Sequence, residues 1–179
     1  MPPLTPEEKT QLHPCLAPFE NSNKSSDQKV LRDGEKEIDD FSHLIHDGVD
    51  NRIPENAVYV TNEEVETILK KNGRFEEKCF LWVIDERSIK IIREKTRNVK
   101  RSHKPTSVCH TNLTGGSKAY LGGEMFFGED KKIYINNFSD RYGGEKTPAE
   151  KWEAAKRYFA KVGYTNLIDI LDLLNEKQY

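Results

Sequence analysis

A chain of 179 residues is long enough to bury one core of ordinary size and too short for two full-sized domains. With 35% hydrophobic and 32% charged residues, the average position is too polar for a core that runs the whole length, so a solvated appendage is expected. No apolar run approaches the roughly 18 residues of a membrane span, and the three cysteines, Cys15, Cys79 and Cys109, form no CxxC pair and fit reduced thiols better than a disulfide framework or a zinc site.

Residues 1–50 hold 11 acidic and 5 basic side chains, together with prolines at 2, 3, 6, 14 and 18 and the polar run Asn21 to Ser26. That composition predicts a flexible acidic tail or linker over 1–50, with a single α+β domain over 51–179. Thr61-Asn62-Glu63-Glu64 has capping-box spacing and is followed by Val65, Ile68 and Leu69 at helical intervals, which predicts a helix over about 62–72 ending at Gly73. Cys79 to Ile84 is continuously apolar and rich in aromatic and β-branched residues, the pattern of a central strand covered on both faces. Strands are expected over Ser88–Arg93 and Ser107–Thr111, then over about 118–127 and 131–138. Thr147-Pro148-Ala149-Glu150 reads as a second capping box with proline at the first helical position, and Trp152, Ala155, Phe159 and Val162 supply the buried stripe of a helix that ends near Gly163. Leu167 to Leu171 is a last strand or short helix. The order predicts an antiparallel β meander of about five strands flanked by N- and C-terminal helices. No GxGxxG, no GxxxxGK[ST] and no internal repeat is present, so nucleotide-fold fingerprints and solenoids are set aside.

Seven of the eleven glycines lie between residues 115 and 144, where backbone must bend sharply or approach something closely. Interleaved with them are chemistry-bearing side chains in His110-Thr111-Asn112, Gly123-Glu124 and Ser139-Asp140-Arg141-Tyr142. His110 titrates near neutral pH and suits proton transfer, with Glu124 as its acid or base partner. Arg141 offers a planar fork of donors for phosphate or carboxylate, and Tyr142 a hydroxyl or a stacking face. These four are the candidate catalytic residues. Asn112, Gly115, Gly116, Gly123 and Ser139 are candidate substrate contacts, Ser139 through a turn cap rather than as a nucleophile. On a strand starting near Ser107, Val108, His110 and Asn112 share one face, while Glu124 shares a face with Phe126. From Arg87 to Lys104 eight basic residues stand against the single Glu94, and Arg93, Lys95 and Arg97 on one strand face are a candidate phosphate-binding stripe.

The order Trp82-Val83-Ile84, a basic strand, His110-Thr111-Asn112-Leu113, paired glycines, Gly123-Glu124 and Ser139-Asp140-Arg141-Tyr142 resembles the toxin-like domains at the C-terminus of bacterial polymorphic toxins. It is also similar to the C-terminal region of plant IQ-motif calmodulin-binding proteins. The resemblance covers about residues 79–170. Where that block ends in Ser-Gly-His-Tyr, this chain carries Asp140 and Arg141 in place of Gly-His, and it has no IQ motif, so calmodulin binding is not carried over. The resemblance implies a common fold more firmly than a common reaction.

Three functions follow as expectations. The first is a metal-independent ribonuclease, with His110 and Glu124 as acid and base and Arg141 on the phosphate, a layout similar in arrangement to the barnase-like ribonucleases. The second is a transferase that uses NAD, since Cys109-His110-Thr111 and Ile133-Tyr134-Ile135 look like the His and Tyr motifs of the ADP-ribosyl transferases. The third is a binding module without turnover, its pocket shaped by the glycines. No metal or other cofactor is required by the first or the third. Expected partners are RNA or a nucleotide and an immunity or delivery protein, with no membrane. MPPLTPEEKT lacks the basic and apolar regions of a signal peptide, which points to a chain that is cytoplasmic or delivered into a target-cell cytoplasm.

Overall fold

Phe80, Leu81, Trp82, Val83 and Ile84 alternate their side chains between two apolar layers, and in the computed structural model all five are buried. The structure describes residues 3–13, 45–47, 53–71, 76–86, 88–96, 106–144 and 147–176. Its elements run α1 (Pro6–Leu12), β1 (His46–Asp47), β2 (Tyr59–Val60), α2 (Asn62–Lys70), β3 (Phe80–Ile84), β4 (Ile89–Arg93), β5 (Lys95–Thr96) and β6 (Thr106–Ser107). Then come a 3₁₀ turn (His110–Leu113), β7 (Leu121–Gly128), β8 (Ile133–Ile135), α3 (Ala149–Lys161), β9 (Leu167–Asp169) and α4 (Ile170–Glu176). The class is α+β, as expected.

The main sheet has seven strands in the order β1-β4-β3-β7-β8-β9, with β2 joined to β7. β4, β3, β7 and β8 run antiparallel, each to the next, and make a meander-like centre in which the chain crosses from β4 over β3 to β7, with Trp82 opposite Ile91 on one side and Gly123 on the other. Two parallel pairings extend it: β2 on the last residues of β7, and β9 on β8 with Tyr134 opposite Ile168. β8, α3 and β9 therefore form one β-α-β unit within an otherwise antiparallel sheet.

The period-two alternation splits the core in two. Phe80, Trp82, Ile84, Ile91, Met125 and Ile135 face a layer built by α1 and α3. Leu81, Val83, Ile92, Phe126 and Tyr134 face α2, the 3₁₀ turn, Tyr142 and Ile170. Trp82 centres the first layer, stacked on Trp152 at 6.1 Å and edge-on to Phe159 at 5.0 Å, with its Nε1 donating to the Glu124 carbonyl at 3.0 Å.

Four expectations are corrected. Residues 4–12 are not tail: Leu4 and Leu12 are buried, and Glu8 and Gln11 of α1 meet Lys161 and Arg157 of α3 at 2.8 and 3.1 Å. His46 and Asp47, also placed in the tail, pair with Ile91 and Lys90. The 14–44 part of that tail, with Cys15, and the helix end at Gly73 lie outside the described residues. The strand expected over Ser107–Thr111 is two residues of β6 followed by the 3₁₀ turn, because the Asn112 side chain accepts from the Cys109 N–H at 2.8 Å and the Thr111 carbonyl accepts from Thr114 and Gly116. Those local bonds take groups that a ladder would need. The capping box at Thr147 does not form: α3 starts at Ala149 with Pro148 as its cap residue and no side-chain cap.

Candidate functional site

Three segments meet over Gly122 and Gly123 of β7. The first is the 3₁₀ turn: its His110 Nε2 lies 2.8 Å from the Gly123 carbonyl oxygen. A carbonyl only accepts, so the imidazole is Nε2–H and, when neutral, keeps its lone pair on Nδ1. The second is the loop after β8, in which Ser139 Oγ accepts from the Tyr142 N–H at 3.1 Å and the Tyr142 carbonyl accepts from Gly122 N–H at 3.1 Å. The third is Asn136, fully buried, whose amide grips both ends of Glu124: Oδ1 accepts from the Glu124 N–H at 2.9 Å, and Nδ2 donates to Oε2 at 3.0 Å. Asn136 belongs to the polar residues interleaved with the glycines, but the sequence reading assigns it neither a catalytic nor a substrate role; its signal was a polar residue directly after the apolar Ile133-Tyr134-Ile135.

The glycines serve this contact. A Cβ on Gly122 would stand 3.1 Å from Tyr142 Cβ and 3.2 Å from His110 Cδ2, and one on Gly143 would meet the Asn137 and Gly122 carbonyls at 2.5 and 2.8 Å. Gly115 and Gly116 turn the chain at φ of 62° and 78°, as their place after the 3₁₀ turn requires.

Electrostatically the cluster is quiet. Burial pushes the His110 pKa down to about 4, against the upward pull of the Gly123 carbonyl and of Asp140, so the ring is neutral at physiological pH rather than poised to shuttle a proton. Because the folded value lies below the ordinary one, the unfolded chain takes up the proton first, and stability falls as pH drops from about 6.5 toward 4. His110→Gln is expected to flatten that limb; equal slopes for the variant and the parent in urea melts across this window would refute the assignment.

Tyr142 is fully buried, its hydroxyl 2.7 Å from Thr114 Oγ1 and donating to the Ser117 carbonyl at 2.8 Å. Arg141 and Ser139 are buried, and Asn112 closes its own turn. Glu124 alone of the four candidate catalytic residues is both charged and partly exposed. The structure thus brings His110, Glu124, Tyr142, Gly123 and Ser139 together, with their main polar atoms engaged by one another or by backbone.

The basic stripe is not assembled as expected. Arg93 is the last residue of β4, opposite Phe80, and its buried Nε has no hydrogen-bond partner among the described residues. Lys95 belongs to the separate β5–β6 pair. Arg97 and the rest of the run, Arg87, Lys100, Arg101, His103 and Lys104, lie outside the described residues. Tyr134 of the second motif donates its hydroxyl to Asp130 at 2.9 Å.

A groove of about 600 Å³ opens elsewhere among the described residues, beside β2, the β7–β8 turn and the segment before β9. Ile53 and Tyr59 line it, and at 42% and 43% exposure they are the two large apolar side chains left open to solvent among the described residues. A second, of about 330 Å³, lies between α2 and α4. None of the candidate catalytic or substrate-contact residues lines either groove, although Ile133 and Tyr134 of the transferase-like motif line the first and the second respectively. Lys131, on the lip of the larger one, has a φ of 65°, the left-handed region that glycine adopts most cheaply. Lys131→Gly is expected to stabilise the fold by about 1 kcal/mol, raising Tm by about 2–4 °C. A lower Tm in calorimetry would contradict that reading of the turn.

Among the described residues no group of three or more His, Cys, Asp or Glu is placed to hold a metal ion, and no helix is long and apolar enough to cross a membrane. Comparison of the chain with protein-family models, with curated proteins and with solved structures finds no match.

Proposed function

We propose that this chain is a ligand-binding module whose site is the groove beside Tyr59. The observation that carries the reading is the coincidence of the two large apolar side chains exposed among the described residues, Ile53 and Tyr59, with a concavity whose volume of about 600 Å³ falls in the range of small-molecule sites. Buried Ile133 and Tyr164 line it as well. Tyr59 is the anchor, since a partly exposed aromatic ring at a groove gives much contact area for little ordering cost. A screen of aromatic fragments by amide chemical-shift mapping, with indole as the reference probe, tests this. Shifts are expected around Gly128, Ile133 and Tyr164, and Tyr59→Ser is expected to weaken them about tenfold, the effect of losing about 1.4 kcal/mol. Shifts that cluster elsewhere, or that survive the substitution unchanged, would sink the proposal.

A second reading, a metal-independent ribonuclease, is favoured by the partly exposed Glu124 carboxylate, which Asn136 orients at 3.0 Å one residue beyond the carbonyl that anchors His110. In it Glu124 takes the 2′-hydroxyl proton of RNA as the 2′-oxygen bonds to phosphorus and the bond from phosphorus to the 5′-oxygen breaks, the departing oxygen taking its proton from water, and the toxin resemblance makes the chain a delivered effector with an immunity partner. Glu124→Gln would then lower RNA cleavage in EDTA by about 10²–10⁴-fold with an unchanged circular dichroism spectrum. Equal cleavage by both proteins removes this reading.

A further inference from the structure

The lip of the groove carries opposite charges that no described residue uses. In the β7–β8 turn, Asp130 is committed: it accepts from the Lys132 N–H at 3.1 Å, pairs with Lys132 Nζ at 3.1 Å and takes the Tyr134 hydroxyl at 2.9 Å. Its neighbours Glu129 and Lys131, which line the groove, enter no ion pair and no side-chain hydrogen bond among the described residues. Lys131 holds its place through backbone that costs a lysine more than a glycine, so the position is defined by the turn and not by a partner of its ammonium. Apolar walls with one unspent cation and one unspent anion at the same rim match a ligand that is apolar in its body and carries both charges at its end.

Resting on the groove reading above, we infer that the ligand class is a small apolar zwitterion of the amino-acid or dipeptide type. Its carboxylate faces Lys131, its ammonium faces Glu129, and its apolar side chains lie between Tyr59, Ile53 and the floor of Ile133 and Tyr164. A purely apolar ligand leaves both charges idle, and a simple carboxylic acid meets Lys131 but is opposed by Glu129. The zwitterion satisfies both.

The test is calorimetric titration of the full chain with phenylalanyl-leucine, its C-terminal amide, its N-acetyl form and indole. Lys131→Gly and Glu129→Gln serve as variants, the first being one that the backbone accepts. The dipeptide is expected to bind the parent. Amidation and Lys131→Gly are each expected to weaken it about two- to fivefold, the worth of a rim ion pair, and together no more than either alone. N-acetylation and Glu129→Gln are expected to behave as the matching pair. Equal binding of the dipeptide, its amide and its acetyl form overturns the zwitterion while leaving the groove as the site. Binding of indole without binding of the dipeptide does the same. Binding of none of the four probes overturns both the zwitterion and the groove reading.

Discussion

Gly123→Ala is expected to destabilise the protein by about 3 kcal/mol or more, the largest effect of a methyl added at any of the described glycines. The added Cβ would collide with the backbone carbonyl of Asn136 and stand 2.7 Å from Trp82 Cζ2, and neither can retreat freely. Trp82 is clamped between Trp152, Phe159 and its bond to the Glu124 carbonyl, and Asn136 is tied by its side chain to Glu124 and Phe138. A shift of either loosens both layers, so the damage reaches His110, which is bonded to the carbonyl of the same glycine. Gly144→Ala is the informative control. Its φ of 94° strains any side chain, but the nearest atom to an added Cβ is Ser139 O at 3.7 Å, so about 1–2 kcal/mol is expected. Urea melts that rank the two equally, or put Gly123→Ala below 1 kcal/mol, would mean that the approach of the β7 backbone to Asn136 is not tight in solution.

Asp169→Ala should cost about 3 kcal/mol, for a different reason. Asp169 sits at the junction of β9 and α4 with its side chain almost wholly buried, and it accepts from Trp152 Nε1 at 2.7 Å, Lys156 Nζ at 2.8 Å and the Leu171 N–H at 2.9 Å. Removing it strands an indole N–H and an ammonium that is itself mostly enclosed. The pH dependence checks the electrostatic part. Burial alone would lower the Lys156 pKa, but its hydrogen bonds to Asp169 and Glu153 and their charges, with that of Asp172, outweigh this and hold it up at about 12, above the ordinary 10.5. A folded value above the unfolded one means stabilisation that is complete below about 10.5 and is lost as pH climbs toward 12. Asp169→Asn keeps the shape and one acceptor oxygen, so the difference in stability between parent and variant is expected to shrink across that window. A difference that stays constant there would assign the cost to packing and neutral hydrogen bonds.

What the sequence made legible was whatever a local pattern decides. The apolar run at Cys79–Ile84 allowed only a strand covered on both faces, and Thr61-x-x-Glu64 followed by Val65, Ile68 and Leu69 allowed only a capped amphipathic helix; both are where the pattern put them. The same box stands at Thr5-Pro6-Glu7-Glu8, with Leu4 and Leu12 to bury, yet a polar composition averaged over 50 residues outweighed it. A helix of seven residues has little stability of its own, and what fixes α1 is its docking on α3. The cluster from 110 to 142 was legible as a convergence but not in its purpose. Glycines whose spacing suggested approach to a ligand approach other strands and carbonyls instead, and the chemistry-bearing side chains bond to one another. The groove had no sequence signature, because it is made by a two-residue strand, a turn and a loop far apart along the chain.

The pairing of α1 with α3 also dictates a schedule. Lys151 donates to the His13 carbonyl and Arg157 to Gln11, bonds spanning 138 and 146 residues, so one face of the sheet has no cover until both ends of that span exist. On a ribosome the strands β3, β4, β7 and β8 are all made before α3, with Phe80, Trp82 and Met125 waiting for their lid. During that interval the nascent chain presents a broad apolar sheet, which makes it a natural client for chaperones and makes synthesis, rather than the finished protein, the stage most exposed to aggregation.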